Sequence, residues 1–205
     1  MKKYSFILLA VWVSIVLGGC QSVQELFGPT PTSVPHGVGI DPPKQMPEFT
    51  LTSNTGKSFN LSDLRGKYVM MFFGYTHCPD ICPMSLADFK SIKKALENDS
   101  SKVSFVFVSV DGSRDTPEVL NNYVSAFDPE FIGLTGSEMD VAKIGINYGV
   151  HFEKQKPTGS AAAYLVAHTT YSYLLDEMGR WRMVFPFKTP AQSVADDIHK
   201  ALMGQ

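Results

Sequence analysis

Cysteine is scarce in this chain, with three among 205 residues. An exported protein stapled by disulfides spreads several cysteines along its length, and this one has none to spare for that purpose. Positive charge is thin as well. Eighteen Lys and Arg face 20 Asp and Glu, the formal net charge is -2, and no basic block occurs. Nucleic-acid binding is therefore left without an electrostatic footprint. No internal repeat and no second domain is visible. What the chain does have is apolar material: 44% hydrophobic and 12% aromatic residues, enough for a real core. Its length fits one domain of roughly 100–200 residues and something extra.

The extra begins at the first residue. Lys2 and Lys3 precede a nearly wholly apolar stretch over residues 4–17, which ends Leu17-Gly18-Gly19-Cys20. Charge, apolar core and small residues in that order read as a secretory signal over residues 1–19. The apolar run is short of the ~20 residues of a membrane span. An uncleaved anchor with an incidental Cys would still export everything after it. A Cys directly behind small residues resembles the lipobox of bacterial lipoproteins. That resemblance implies cleavage before Cys20 and lipidation of its thiol, placing the chain on the extracytoplasmic face of a bacterial cell membrane. Residues 20–45 would be the lipidated Cys and a tether rich in proline (Pro29, Pro31, Pro35, Pro42, Pro43), semi-extended and poor in residues that pack. With Cys20 lipidated, Cys78 and Cys82 are the remaining thiols. In an oxidising compartment such a pair is either a disulfide or a metal site.

The folded part is expected over residues 46–205. Residues 48–53, a turn at Asn54-Thr55-Gly56-Lys57, and residues 58–61 predict a hairpin. Residues 67–74 (KYVMMFFG) and 103–110 (VSFVFVSV) are continuous apolar runs, as in strands buried on both faces. Between them, Leu86, Phe89, Ile92, Ala95 and Leu96 have helical spacing. Thr116-Pro117-Glu118 starts another helix with a cap, a first-turn Pro and an acid at the positive end of the dipole. A short strand at 131–134, a helix capped by Ser137, a hairpin over 171–175 and 181–187, and a terminal helix at 192–203 complete the order. This predicts an α/β, thioredoxin-like fold with an N-terminal β-hairpin and additional insertions.

Gly74-Tyr75-Thr76-His77-Cys78-Pro79-Asp80-Ile81-Cys82-Pro83 follows one buried strand and opens a helix. A helix N-terminus presents free N–H groups and partial positive charge, which lower a thiol pKa. Thioredoxins place two residues between their thiols and this chain places three. On a helix, positions i and i+4 share one face, so both sulfurs could address one ion. Two thiolates select Cu(I) or Zn(II), and imidazole suits either. Of His36, His77, His151, His168 and His199, the best third ligand is His168, in a loop before the 171–175 strand. In thioredoxin-like folds that loop faces the cysteines and carries a cis-proline, whereas here no Pro lies between Pro157 and Pro186.

Three stretches in order resemble the Sco (SenC) family of copper-binding proteins. They are residues 74–83, Val108-Ser109-Val110-Asp111 with Arg114-Asp115-Thr116-Pro117, and His168-Thr169. The resemblance implies copper, as Cu(I) and/or Cu(II), held by Cys78, Cys82 and His168. It also implies maturation of the binuclear copper centre of cytochrome c oxidase, with that enzyme's copper-binding subunit as partner. Asp111 and Asp115 look like family residues near the site, and Gly112 stands where many relatives have Pro. Two functions compete. One is a metallochaperone that delivers copper. The other is a thiol–disulfide reductase that keeps the oxidase cysteines reduced through the redox pair Cys78 and Cys82. Either needs an extracytoplasmic thiol reductant, and only delivery strictly needs His168. A peroxiredoxin is disfavoured by Met71 and Tyr75 at the offsets of its Pro and Thr, and a cytochrome-biogenesis reductase by the cysteine spacing.

The anchor reading predicts that Cys20→Ser abolishes fatty-acid labelling and blocks normal processing. Metabolic labelling with a radioactive fatty acid checks it, and unchanged labelling would refute it. Retention on membranes should fall too, since stable anchoring takes more than one acyl chain.

Overall fold

The computed structural model describes residues 37–156 and 164–204. The signal over 1–19, Cys20, most of the tether and His36 lie outside the described residues.

The sheet grows from its two most apolar strands. β4 (Tyr68–Gly74) is buried at every residue, and β5 (Val103–Ser109) runs parallel beside it. A strand covered on both faces has no use for polar alternation, which is why both read as unbroken apolar runs. β6 (Ile132–Thr135) continues the parallel set past β5. The hairpin of β2 (Thr50–Ser53) and β3 (Ser58–Asn60) closes that edge, with β2 antiparallel to β6. On the other side of β4, β9 (Ser172–Leu175) and β10 (Arg180–Phe185) add an antiparallel hairpin. With the edge strand β1 (Val38–Gln45), the eight-stranded order is β1-β10-β9-β4-β5-β6-β2-β3.

α1 (Ile81–Ala95) turns Leu86, Phe89 and Ile92 inward and packs against α4 (Ala191–Leu202). α2 (Pro117–Ser125) begins where Thr116 accepts a hydrogen bond from the Val119 N–H. It lies so close to β6 that a Cβ on Gly133 would stand 2.6 Å from Leu120. α3 (Glu138–Tyr148) starts on the Ser137 cap and stops at Gly149, whose φ of 68° is left-handed. This is the expected thioredoxin-like frame.

Three expectations need correction. The expected tether over 20–45 is too long, because β1 (Val38–Gln45) is already an edge strand paired with β10. Pro42 and Pro43 are tolerated there because the register shifts between Gly39 and Lys44, so neither has to donate to the ladder. A further two-stranded sheet, β7 (Phe152–Gln155) with β8 (Leu165–His168), has no counterpart in the sequence reading as a paired unit. His168 is consequently the last residue of a strand, opposite Phe152, and not part of the loop before β9.

The two faces of β4 carry different work. Phe73 is fully buried and meets Tyr148 and Tyr173 edge-on or tilted, with ring centroids 5.5 and 5.9 Å apart. Phe72 meets Phe107 and the His168 ring, at 6.2 and 5.8 Å. Phe73→Ala should therefore destabilise the protein by about 3–5 kcal/mol, lowering Tm by roughly 6–20 °C. Thermal unfolding followed by circular dichroism would read this, and the reduced thiols should react normally in the variant at 20 °C below its Tm.

Candidate metal centre

α1 opens without help from its own N-cap. Asp80 occupies that position and makes no side-chain capping bond. The free N–H of Cys82 instead donates to the Cys78 sulfur at 3.4 Å. Cys78 thus lies in the turn before the helix and Cys82 in its first turn, so the two do not share a helical face as the spacing suggested. A sulfur held against unsatisfied N–H groups at a positive helix end is stabilised as thiolate. The hydrogen bond from the Cys82 thiol, with the backbone N–H groups of Asp80 and Cys82, holds the Cys78 thiol down to about 3 against the opposing effect of burial. Cys82 is fully buried and shifts the other way: donating to Cys78 and leaving water both raise its pKa. One thiol is half-buried and held toward its thiolate form, and its neighbour is buried and held toward its protonated form.

The cysteine turn is fixed from below. Asp115, fully buried after β5, accepts from the Thr76 N–H at 2.9 Å, from Thr76 Oγ1 at 2.6 Å and from Ser109 Oγ at 2.6 Å. Gly74 leaves room for the site, since a Cβ there would stand 2.9 Å from Cys82 Sγ. Gly112 allows a close approach of another kind: a Cβ would lie 1.9 Å from the Gly136 carbonyl oxygen, so no side chain fits there.

His168 reaches the sulfurs from β8. Its Nε2 lies 3.5 Å from Cys82 Sγ. Its Nδ1 lies 2.9 Å from the Thr169 carbonyl oxygen, which can only accept, so Nδ1 carries the proton. In that tautomer the Nε2 lone pair faces the sulfurs, and the Nδ1–H bond to a backbone carbonyl is the way metal-bound histidines are oriented. Phe72 and Tyr75 set the ring by edge contacts at 5.8 and 6.0 Å. The ligand atoms of Cys78, Cys82 and His168 all lie within 4.8 Å of one another. A metal with bonds of about 2.0–2.3 Å sets its ligands roughly 3.5–4 Å apart, so a small inward movement completes a three-coordinate site. Among the described residues this is the one such group of three.

The other described histidines stay apart from that group. His77 turns toward Asp115, with Nδ1 3.8 Å from Oδ1, and is half exposed. His151 pairs through its backbone with Thr169. His199 sits on α4 near Asp99, 3.6 Å away. Sequence reasoning missed Phe72, Tyr75 and Tyr164 as neighbours of the site, for apolar and aromatic residues carry no signal that separates core from rim.

With the geometry in place, comparison with known proteins is direct. The SCO1/SenC family profile matches residues 39–203. The chain belongs to the SCO1/SenC family. It is 34% identical to a SCO2-like protein of Rickettsia prowazekii over 72% of each chain. It spans a smaller share, 44%, of the mitochondrial protein SCO2 of Saccharomyces cerevisiae. Arabidopsis thaliana ScoI, solved with copper bound, is 32% identical, covers 78% of this chain and 99% of its own, and superposes with a TM-score of 0.74. A SCO1/SenC family lipoprotein of Bacillus anthracis is 28% identical with a TM-score of 0.67, covering 78% of this chain and 98% of its own.

The split between the thiols gives a pH test. In reduced, metal-free protein, iodoacetamide should modify Cys78 at a rate nearly flat from pH 8 down to about pH 4, the thiolate being present above its pKa of about 3. An ordinary thiol loses about tenfold per pH unit over that range. Cys82 should stay unmodified throughout. Peptide mapping by mass spectrometry reads both, and a Cys78 rate falling tenfold per unit would contradict the assignment.

Proposed function

We propose that this protein binds copper through Cys78, Cys82 and His168 and delivers it to the copper-binding subunit of cytochrome c oxidase during assembly of the binuclear copper centre. The observation that carries the reading is the fixed imidazole. The Nδ1–H bond to the Thr169 carbonyl leaves the Nε2 lone pair 3.5 Å from Cys82 Sγ. A soft ion between two sulfurs gains a third donor from such a lone pair. The copper bound in the Arabidopsis relative supports the same choice of ion. Cys78 needs no deprotonation to accept copper, and Cys82 gives up its proton as the ion arrives. The oxidase as destination follows from the family resemblance. The lipobox at Cys20, together with the lipoprotein relative from Bacillus anthracis, supports a lipid anchor on the extracytoplasmic face of the membrane.

A second reading is favoured by the same thiols. A partly exposed thiolate beside a buried thiol is the attacking and resolving pair of a dithiol reductant. In that role Cys78 attacks a disulfide of the oxidase subunit, Cys82 resolves the mixed disulfide, and the Cys78–Cys82 disulfide left behind is reduced by an extracytoplasmic thiol reductant. The same disulfide removes both thiolates, so oxidised protein should not hold copper.

Metal that binds only the folded, reduced state stabilises it by mass action. At free Cu(I) ~1,000 times Kd the gain is about 4 kcal/mol, or roughly 8–16 °C in Tm for a domain of this size. Anaerobic thermal unfolding of reduced protein should show that shift. Cys78→Ser and Cys82→Ser should each abolish it, and His168→Ala should remove most of it while still forming the disulfide. Cells carrying His168→Ala should fail to assemble the oxidase at limiting copper. A normal oxidase in those cells would transfer the function to the reductase reading.

A further inference from the structure

β8 is four residues long and pairs only with β7, in a sheet separate from the main one. Its last residue is the ligand His168. A ligand on so slight an element is placed only if the element is fastened at both ends. At the far end the fastening is Tyr164, immediately before β8. Its hydroxyl donates to Asp111 Oδ1 at 2.8 Å, and its carbonyl accepts from Arg114 Nη1 at 3.3 Å. The Arg114 guanidinium lies 3.7 Å from the centre of the Tyr164 ring, and Lys154 Nζ approaches the same ring at 4.8 Å.

The anchor under these contacts belongs to the main sheet. Asp111 is fully buried just after β5, takes the Arg114 Nε–H and the Ser113 hydroxyl, and has its own N–H on Ser109 Oγ. Arg114 also lies 5.7 Å over the Tyr75 ring, whose other neighbour is the His168 imidazole at 6.0 Å. One cation is thus shared between a ring on the strap and a ring beside the ligands. None of Asp111, Arg114 and Tyr164 belongs to the group of ligand atoms.

We propose that Asp111, Arg114 and Tyr164 form a latch that holds β8 down and positions His168, so that the strength of the latch sets how tightly the metal is kept. The inference rests on the copper-binding reading. Apparent affinity scales with the fraction of molecules in which the imidazole is already over the sulfurs, and a latch between two side-chain planes is a device for keeping that fraction high. Loosening it does not touch the sulfurs. It converts a three-donor site into a two-donor one part of the time, and a two-donor site exchanges its ion with incoming thiols more readily.

The test uses Tyr164→Phe, which keeps the ring and removes the hydroxyl. Cu(I) affinity is measured anaerobically by competition with a chromogenic chelator, in wild type, Tyr164→Phe, His168→Ala and the double variant. Losing a hydrogen bond to a buried carboxylate lowers the fraction of molecules with the imidazole in place by at most about 10–100-fold. Tyr164→Phe should lose affinity in that range in the wild-type background and nothing further in the His168→Ala background. Equal losses in both backgrounds would mean a general weakening and overturn the latch, as would no loss in either. A second, metal-free arm is hydrogen exchange of the reduced protein. Exchange at residues 165–168 should speed up in Tyr164→Phe while β4 and β5 stay protected, and unchanged exchange there would also overturn the latch. Should wild type bind no Cu(I) while residues 165–168 still loosen, the latch stands and the copper reading falls.

Discussion

A single unsatisfied backbone donor organises this molecule. Every α-helix begins with N–H groups that no carbonyl of its own can accept, and here α1 offers one of them, from Cys82, to a sulfur instead of a capping oxygen. That substitution fixes where Cys78 must sit and keeps it charged. It also forbids a side chain at Gly74, because the second sulfur fills the space above the strand. Asp115 then serves to keep the turn from drifting, since Thr76 is tied to it twice. The reactivity of the pair is a by-product of how the helix is started.

The imidazole is solved separately. The sulfurs come from the strand–helix junction at the centre of the sheet, and the nitrogen comes from a small accessory hairpin. Joining them required aromatic walls, Phe72 and Tyr75, and a carbonyl at Thr169 to choose the tautomer. The division gives the two halves of the site different stiffness. The sulfurs stand at the junction of the fully buried strand β4 and α1, and the nitrogen rides on four residues of strand.

How much of this was legible in the sequence depends on the reach of each contact. β4 and β5 were readable because burial on both faces leaves one-dimensional traces, KYVMMFFG and VSFVFVSV. The helix caps at Thr116 and Ser137 were readable because their bonds span three residues. The exact first residue of α1 was not, since Pro79, Asp80 and Pro83 look like turn residues. Pro83 is in fact harmless at the third helical position, where its missing N–H would have had no acceptor. β7 and β8 escaped because each is four residues of mixed polarity. Tyr164 and Asp111 are 53 residues apart, and nothing local to either announces the other. Edge strand β1 hid behind its prolines, whose usual message is an unpaired chain.

The wide separation of the third donor has a consequence for how the protein comes into being. Cys78 and Cys82 are neighbours in any conformation, whereas His168 is 86 residues from Cys82 along the chain. A nascent polypeptide can offer an ion two sulfurs at once, but bringing in the nitrogen means closing a large loop, with an entropic toll that grows with its length. Only a finished sheet has met that toll beforehand. Full coordination is therefore a certificate of maturity: a chain still being made can snatch an ion but cannot retain it with all three donors.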